Sequence, residues 1–288
     1  MARIGFVTDS TAHVPEELIA KYDLRIADLT VQFGQESFRE HADLDTDDFF
    51  RRLKESHTLP TSSQPSPEEF LRAYKSLAQD HDSIICVTLS HKLSGTINSA
   101  RLAAQMVESD GVKVTVIDSL SAWMGTGLQV IAGAQAAAAG KSHDECVALI
   151  EELVKRMQVL LVVDTLEYLQ RGGRIGGAQA MIGTMLQIKP VLTVRDGMLQ
   201  PLERVRTKRK ALDRILDIMA EHVGTQPYTA ALGHAQAEAE AEELRKRILA
   251  RMPQVRDMYL SPVSPVVSVH LGPGAIGLVY YVNLPDQP

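Results

Sequence analysis

The chain has 288 residues, 45% of them hydrophobic and 23% charged, with a net charge of −6. That balance excludes a disordered or fibrous chain and offers no broad cationic field for a nucleic-acid backbone or an anionic membrane. The length exceeds that of one ordinary domain and predicts two, each with a core of its own.

The N-terminus, MARIGFVTDS, carries an apolar patch far shorter than a signal peptide requires, and no run in the chain approaches the roughly 18 apolar residues of a membrane span. The expectation is a cytoplasmic protein without stable membrane insertion. Short β-branched runs then alternate with helical patterns, which predicts βαβ units and a mainly parallel sheet. Strands are expected over 3–9, 24–33, 83–89 and 113–118. The helices between them read PEELIAKY, with Pro15 in the first turn, TDDFFRRLKES, SPEEFLRAYKSLAQD, INSARLAAQMVES and the alanine-rich LQVIAGAQAAAAG. SHTLPTSSQPSP is expected to be a loop, because Pro60 and Pro65 oppose helix and interior strand alike. Cys86 lies inside an apolar run and forms no metal-type pair with Cys146, so both are read as reduced structural thiols.

Near residue 158 the texture changes, which predicts an N-terminal α/β domain over 1–158 and a C-terminal α/β domain with a mixed sheet over 159–288. VLLVVDTL, PVLTV and MLQPLERVRT read as strands, the last two joined by a hairpin turn at Asp196-Gly197. YTAALGH and the apolar stretch VVSVHLGPGAIGLVYYV read as further strands. KRKALDRILDIMAEHV and EAEAEELRKRILARM read as helices, the second with charges at helical spacing on a solvated face.

Six segments carry groups that could hold a ligand. VTDST ends a strand in a carboxylate and two hydroxyls, where open α/β sheets place ligand groups, although Asp9 or Ser10 would serve equally as a helix cap. In TSSQPSP, prolines stiffen a loop of three hydroxyl residues, Thr61, Ser62 and Ser63, with Ser66 as an N-cap for the next helix. In LSGT, Ser94, Gly95 and Thr96 open a helix, where unpaired amides and the positive end of the helix dipole favour an anion. A plain N-cap role for Ser94 fits the same residues. LEYLQRGGRIGG brackets two glycines with Arg171 and Arg174, whose guanidinium forks suit a carboxylate, a phosphate or an acidic surface. LERVRTKRK gathers five Lys and Arg between 204 and 210; such runs are usually solvated faces. In VHLGPGAIG, His270 precedes a tight glycine turn and is either a titratable ligand contact or a structural histidine.

GPGAIG fits the dinucleotide-binding glycine pattern literally, but that fingerprint needs a following helix and an acidic residue about 20 positions on. Only 11 residues follow Gly277, and LVYYV is a strand pattern, so the nucleotide reading fails. ATP-binding P-loop, hydrolase-elbow and zinc-protease motifs are all missing from the sequence. No metal site, catalytic residue or cofactor is expected.

In this order, VTDST, SSQPSPEEF, LSGTINSA, VIDS, DTLEYLQRGGRI, LQIKPVLTVRDG, VRTKRKAL and HLGPGAIGLVYY cover almost the whole chain. The set resembles the DegV family of bacterial fatty-acid-binding proteins. The resemblance implies two α/β domains with a lipid between them, the carboxylate in a polar site and the acyl chain in an apolar tunnel. It also implies a partner, because members that act as fatty acid kinase subunits present the acid to a separate ATP-binding protein for acyl-phosphate formation. Carried over residue by residue, it makes Ser94 a carboxylate contact and links Arg174, Arg206 and His270 to kinase docking or phosphoryl transfer, with Arg171 beside them. The family's Thr-Ser-Gln-Pro-Ser appears here as Thr61-Ser62-Ser63-Gln64-Pro65-Ser66. Counting back from Pro65 favours Ser62 as the loop hydroxyl, with Thr61 as the alternative. Met181, Ile182, Met185 and Leu186 in MIGTMLQI offer an adaptable apolar stripe for the tunnel or the core. The rival reading is a serine acyltransferase or hydrolase using Ser94, with His91 close enough in sequence to be its base.

Overall fold

The computed structural model describes residues 3–56, 58–109, 111–184, 188–285 and 287. Its first part runs β1 (Ile4–Asp9), α1 (Glu16–Tyr22), β2 (Arg25–Ala27), β3 (Thr30–Phe33), β4 (Glu36–Arg39), α2 (Thr46–Glu55), β5 (Thr61–Ser63) and α3 (Pro67–Leu77). Next come β6 (Ser83–Thr88), α4 (Thr96–Glu108), β7 (Lys113–Asp118), α5 (Met124–Ala138) and α6 (His143–Arg156). From Gln158 onward follow β8 (Gln158–Val162), α7 (Glu167–Arg171), β9 (Lys189–Arg195), β10 (Met198–Val205), α8 (Lys208–Val223), β11 (Tyr228–His234), α9 (Glu238–Arg251), β12 (Val255–Pro262), α10 (Pro265–Leu271) and β13 (Ile276–Val282).

Among the described residues the strands form three sheets. The first is parallel, in the order β2-β1-β6-β7. It is covered on both sides, which explains why SIICVT reads as an unbroken apolar run rather than an alternating one. Ile84 and Cys86 pack with Phe70, Tyr74 and Leu77 of α3 and with Ala100 and Ala103 of α4, whereas Phe6, Ile85 and Val87 join α5 and α6 in a separate core. The second sheet is mixed, β10-β9-β8-β13-β11-β12, with only the β11–β12 pair parallel. One of its faces lies under α8 and α9. The other contributes Leu161, Leu192, Leu199 and Val279 to the same core as Phe6 and Leu128, so the two large sheets share one apolar interior. β9 and β10 turn at Asp196 and Gly197, both with positive φ (50° and 78°), as a two-residue hairpin requires.

Three sequence expectations need correction. The run over 24–33 is not one strand: β2 belongs to the parallel sheet, and β3 pairs with β4 and β5 in a small antiparallel sheet, β4-β3-β5. An alternating pattern shows strand propensity but not which sheet accepts its hydrogen bonds. The segment expected as a loop contains β5, whose residues pair with Gln32, Val31 and Thr30; Pro60 and Pro65 flank this strand without interrupting it. The apolar VVSVH is helical, because Pro265 sits in the first turn of α10. Short apolar runs do not separate helix from strand by themselves. Finally α6, whose Ser142 and Glu145 make a capping box, and the edge strands β4 and β12 went unread.

The two halves meet tightly at one point. Leu120 and Trp123 both have positive φ (48° and 50°), rare for side chains of that size, in the turn that delivers Trp123 to β11. A Cβ added at Gly233 would lie 2.4 Å from Trp123 ring carbons. Gly233→Ala should therefore overpack this contact and destabilise the fold by about 1–3 kcal/mol, read as a lowered denaturant midpoint; an unchanged midpoint would show that the ring has room to move.

Candidate functional site

Four segments distant in sequence meet around a cavity of ≈ 320 Å³. The first is the turn between β6 and α4. Its Ser90 is held on both sides, the backbone N–H donating to Ser121 O (2.7 Å) and the hydroxyl to Gly197 O of the β9–β10 hairpin (2.8 Å). α4 then begins with Gly95 at the N-cap position and no side-chain cap. Ser94 Oγ pairs with Thr96 Oγ1 at 2.9 Å, accepts from the Thr96 N–H at 3.4 Å, and lines the cavity with Gly95. The glycine has a steric reason here: an added Cβ would lie 2.2 Å from Gln64 Oε1, whose Nε2 donates to Ser99 Oγ.

That Gln64 follows β5, the second segment. Along β5 the side chains diverge: Ser62 faces the cavity, while exposed Thr61 donates to Gln32 Oε1 at 3.2 Å and does not line it. Ser62 Oγ lies 3.0 Å from Nε2 of His270, on α10, the third segment. The other ring nitrogen, Nδ1, is buried with no hydrogen-bond partner among the described residues, and a Cβ at Gly172 would come within 2.3 Å of it. A proton on Nδ1 would be a buried donor without an acceptor, so the ring is better protonated at Nε2, donating to Ser62. The Ser62 hydroxyl hydrogen is then free to turn elsewhere. Burial, reinforced by the positive charge of Arg174, pushes the His270 pKa down to about 4, which keeps the ring neutral near pH 7.

The fourth segment carries Arg174. Its Nε donates to Leu93 O at 3.0 Å and its Nη1 to Gly172 O at 2.7 Å, tying the glycine pair beneath His270 to the turn that holds Ser94. Arg171 points away, exposed and paired with Glu167 (2.9 Å), and Arg206 is exposed beyond the end of β10; neither lines the cavity. The remaining lining is largely apolar and comes from the mixed sheet, from α10 and from the turns that follow the parallel strands, including Leu89, Trp123, Leu161, Leu199, Val266 and Val279. In the MIGTMLQI stripe, Met181 is buried in the core without lining the cavity, and Met185 and Leu186 lie outside the described residues.

Two other sequence candidates have local roles. Asp9 accepts from Leu89 N (2.7 Å) and from Thr11, so it caps the turn after β1 and ties the ends of β1 and β6 together. His91 Nδ1 lies 2.5 Å from Asp118 Oδ2, and the Ser94 hydroxyl is bonded to Thr96, so no base is bonded to Ser94 among the described residues. Gln64, Trp123 and the apolar side of α10 were not anticipated as parts of the site; the first two stand inside or beside motifs noted in the sequence, but their contacts depend on partners far along the chain. Among the described residues no three His, Cys, Asp or Glu gather as metal ligands, and no helix is long and apolar enough to cross a membrane.

A family model described as "Uncharacterised protein, DegV family" matches residues 3–283. The chain belongs to the DegV family. Protein DegV of Bacillus subtilis is 36% identical over 279 residues, covering 96% of this chain and 98% of the relative. Among solved structures, a DegV family protein from Thermus thermophilus, described for its fatty acid binding, is similar with a TM-score of 0.93 and 35% identity over 98% of this chain and 100% of its own. DegV from Bacillus subtilis, described as a fatty acid binding protein, is similar with a TM-score of 0.91 and 34% identity over the same shares.

The depressed His270 pKa has a measurable consequence. The unfolded chain takes up this proton near pH 6.5 and the folded protein only near pH 4, so the contribution is complete above 6.5 and is lost as the pH falls through that window. His270→Gln should flatten that part of the curve of stability against pH, measured as denaturation midpoints across it; an unaltered slope would show that His270 titrates normally.

Proposed function

We propose that this DegV protein binds a long-chain fatty acid, with the carboxylate at the Ser62, Ser94 and His270 side of the cavity and the acyl chain along its apolar walls. The observation that carries this reading is the cavity itself: largely hydrocarbon lining, with hydroxyls and the start of α4 on one part of it. A carboxylate entering an apolar cavity without partners costs several kcal/mol, so a cluster of donors is what such a ligand needs. Each buried methylene would add about 0.8 kcal/mol, so chain length would dominate affinity. The fatty-acid-binding descriptions of the Thermus thermophilus and Bacillus subtilis structures support the same ligand class.

The lipid would lie between an N-terminal unit over 1–158 and a C-terminal unit over 159–288, in a cytoplasmic protein with no catalysis or cofactor of its own. A separate ATP-binding kinase subunit would phosphorylate the presented carboxylate. Arg174 is well placed for the cavity side of that hand-over, since it lines the cavity while holding Leu93 O. Arg171 and Arg206, both exposed, suit the docking side, where a guanidinium can pair with an acidic partner surface or a phosphate.

Native mass spectrometry of the purified protein should find a retained long-chain acid, whereas a serine-linked acyl adduct would favour an acyltransferase. Ser94→Ala should lower fatty-acid retention by roughly the 1–3 kcal/mol of a lost donor with the fold intact, and unchanged occupancy would refute the assignment of Ser94. Arg206→Ala should keep the lipid and weaken phosphorylation in the presence of the kinase; loss of lipid with normal coupling would reverse that role.

A further inference from the structure

Glu40 follows β4 and is only 5% exposed, an uncommon state for a carboxylate. Its two oxygens are both engaged. One accepts from Ser10 Oγ (2.5 Å), which itself accepts from Leu29 N (3.0 Å). The other accepts from the backbone N–H of Val266 (2.6 Å), in the first turn of α10, 226 residues along the chain.

α10 has seven residues, so at 1.5 Å per residue it is about 10 Å long. Its far end carries His270, bonded to Ser62 of β5. β4 and β5 flank β3 in the same small sheet. One sheet therefore grips both ends of one short helix, through Glu40 at Val266 and through Ser62 at His270. The helix residues between these grips, Val266 and Val267 with Leu271 beyond, face the cavity. A slip of α10 along its axis by about 1 Å would lengthen or misalign the Ser62–His270 bond, which weakens away from its preferred geometry.

We propose that Glu40 is a positioning residue: by holding the Val266 N–H it sets the placement of α10 and so keeps His270 in register with Ser62. What matters in this role is the reach of the side chain to Val266, not its charge. Glu40→Gln retains a carbonyl oxygen at the same distance. Glu40→Asp retains the carboxyl group but withdraws it by one methylene, and Glu40→Leu removes the acceptor.

The ligand side of this proposal rests on the fatty-acid reading, so two measurements are paired. The first needs no lipid: the His270 ring titration followed by NMR, with Arg174 as the charged group facing the ring. In the wild type and in Glu40→Gln the ring should titrate near pH 4, and in Glu40→Asp and Glu40→Leu closer to its ordinary 6.5 as the pocket around it opens. The second compares palmitate with hexadecanol. Glu40→Asp and Glu40→Leu should weaken acid binding about tenfold relative to the alcohol, the effect of one lost donor, while Glu40→Gln stays near the wild type. Should Glu40→Leu fail to fold, the Asp and Gln pair decides. An unmoved His270 titration in Glu40→Asp, or a Gln variant as impaired as the Asp variant, overturns the proposal. A wild type that binds neither lipid refutes the fatty-acid reading and leaves the titration to judge Glu40.

Discussion

The hydrogen bond between Ser62 and His270 joins residues 208 positions apart, and the candidate site is organised around it. It can form only because β5 exists as a strand and α10 exists as a helix. Once formed, it dictates what surrounds the imidazole. Gly172 must lack a side chain because Nδ1 occupies that space, and Arg174 anchors the same glycine turn by donating to the Gly172 carbonyl and onward to Leu93. The turn bearing Ser94 is thereby coupled to the wall bearing His270 through a single guanidinium. Neutral imidazole beside a cation is the stable state here, since burial and Arg174 act in the same direction on the ring.

Much of this was legible in the residues. The parallel sheet announced itself because strands buried on both faces are apolar throughout, and the Asp196-Gly197 hairpin did so because few other pairs accept two positive φ angles. Ser94 and Gly95 could be placed at a helix start from the strand-to-helix transition alone. The parts that stayed hidden have a common cause: their structure is supplied by distant partners. β5 is three hydroxyl residues whose pairing with β3 no local pattern reveals. α10 is too short and too apolar for periodicity to identify. Glu40 stands in the polar stretch ESFRE, where a carboxylate reads as solvated, and only the approach of Val266 makes it interior.

The shared interior of the two large sheets explains why the cavity sits where it does. A sheet covered by helices on both faces leaves no room beside it, and the mixed sheet has α8 and α9 on one face only. Its other face meets the N-terminal half, and the cavity lies within that seam. Leu89 reaches it from the turn after β6, and Leu161 and Val279 from the mixed sheet. Its shape therefore depends on how the halves are seated, a property that no single strand or helix determines.

Trp123, the sole tryptophan of the chain, stands in this seam against Gly233, and its indole nitrogen is buried without a hydrogen-bond partner among the described residues. A lone buried indole at the wall of a cavity is a built-in optical probe. Its emission belongs to one location, with no other tryptophan to dilute the signal. Water or hydrocarbon arriving beside the ring would alter the colour of that emission, so the protein can report the contents of its own interior without a label.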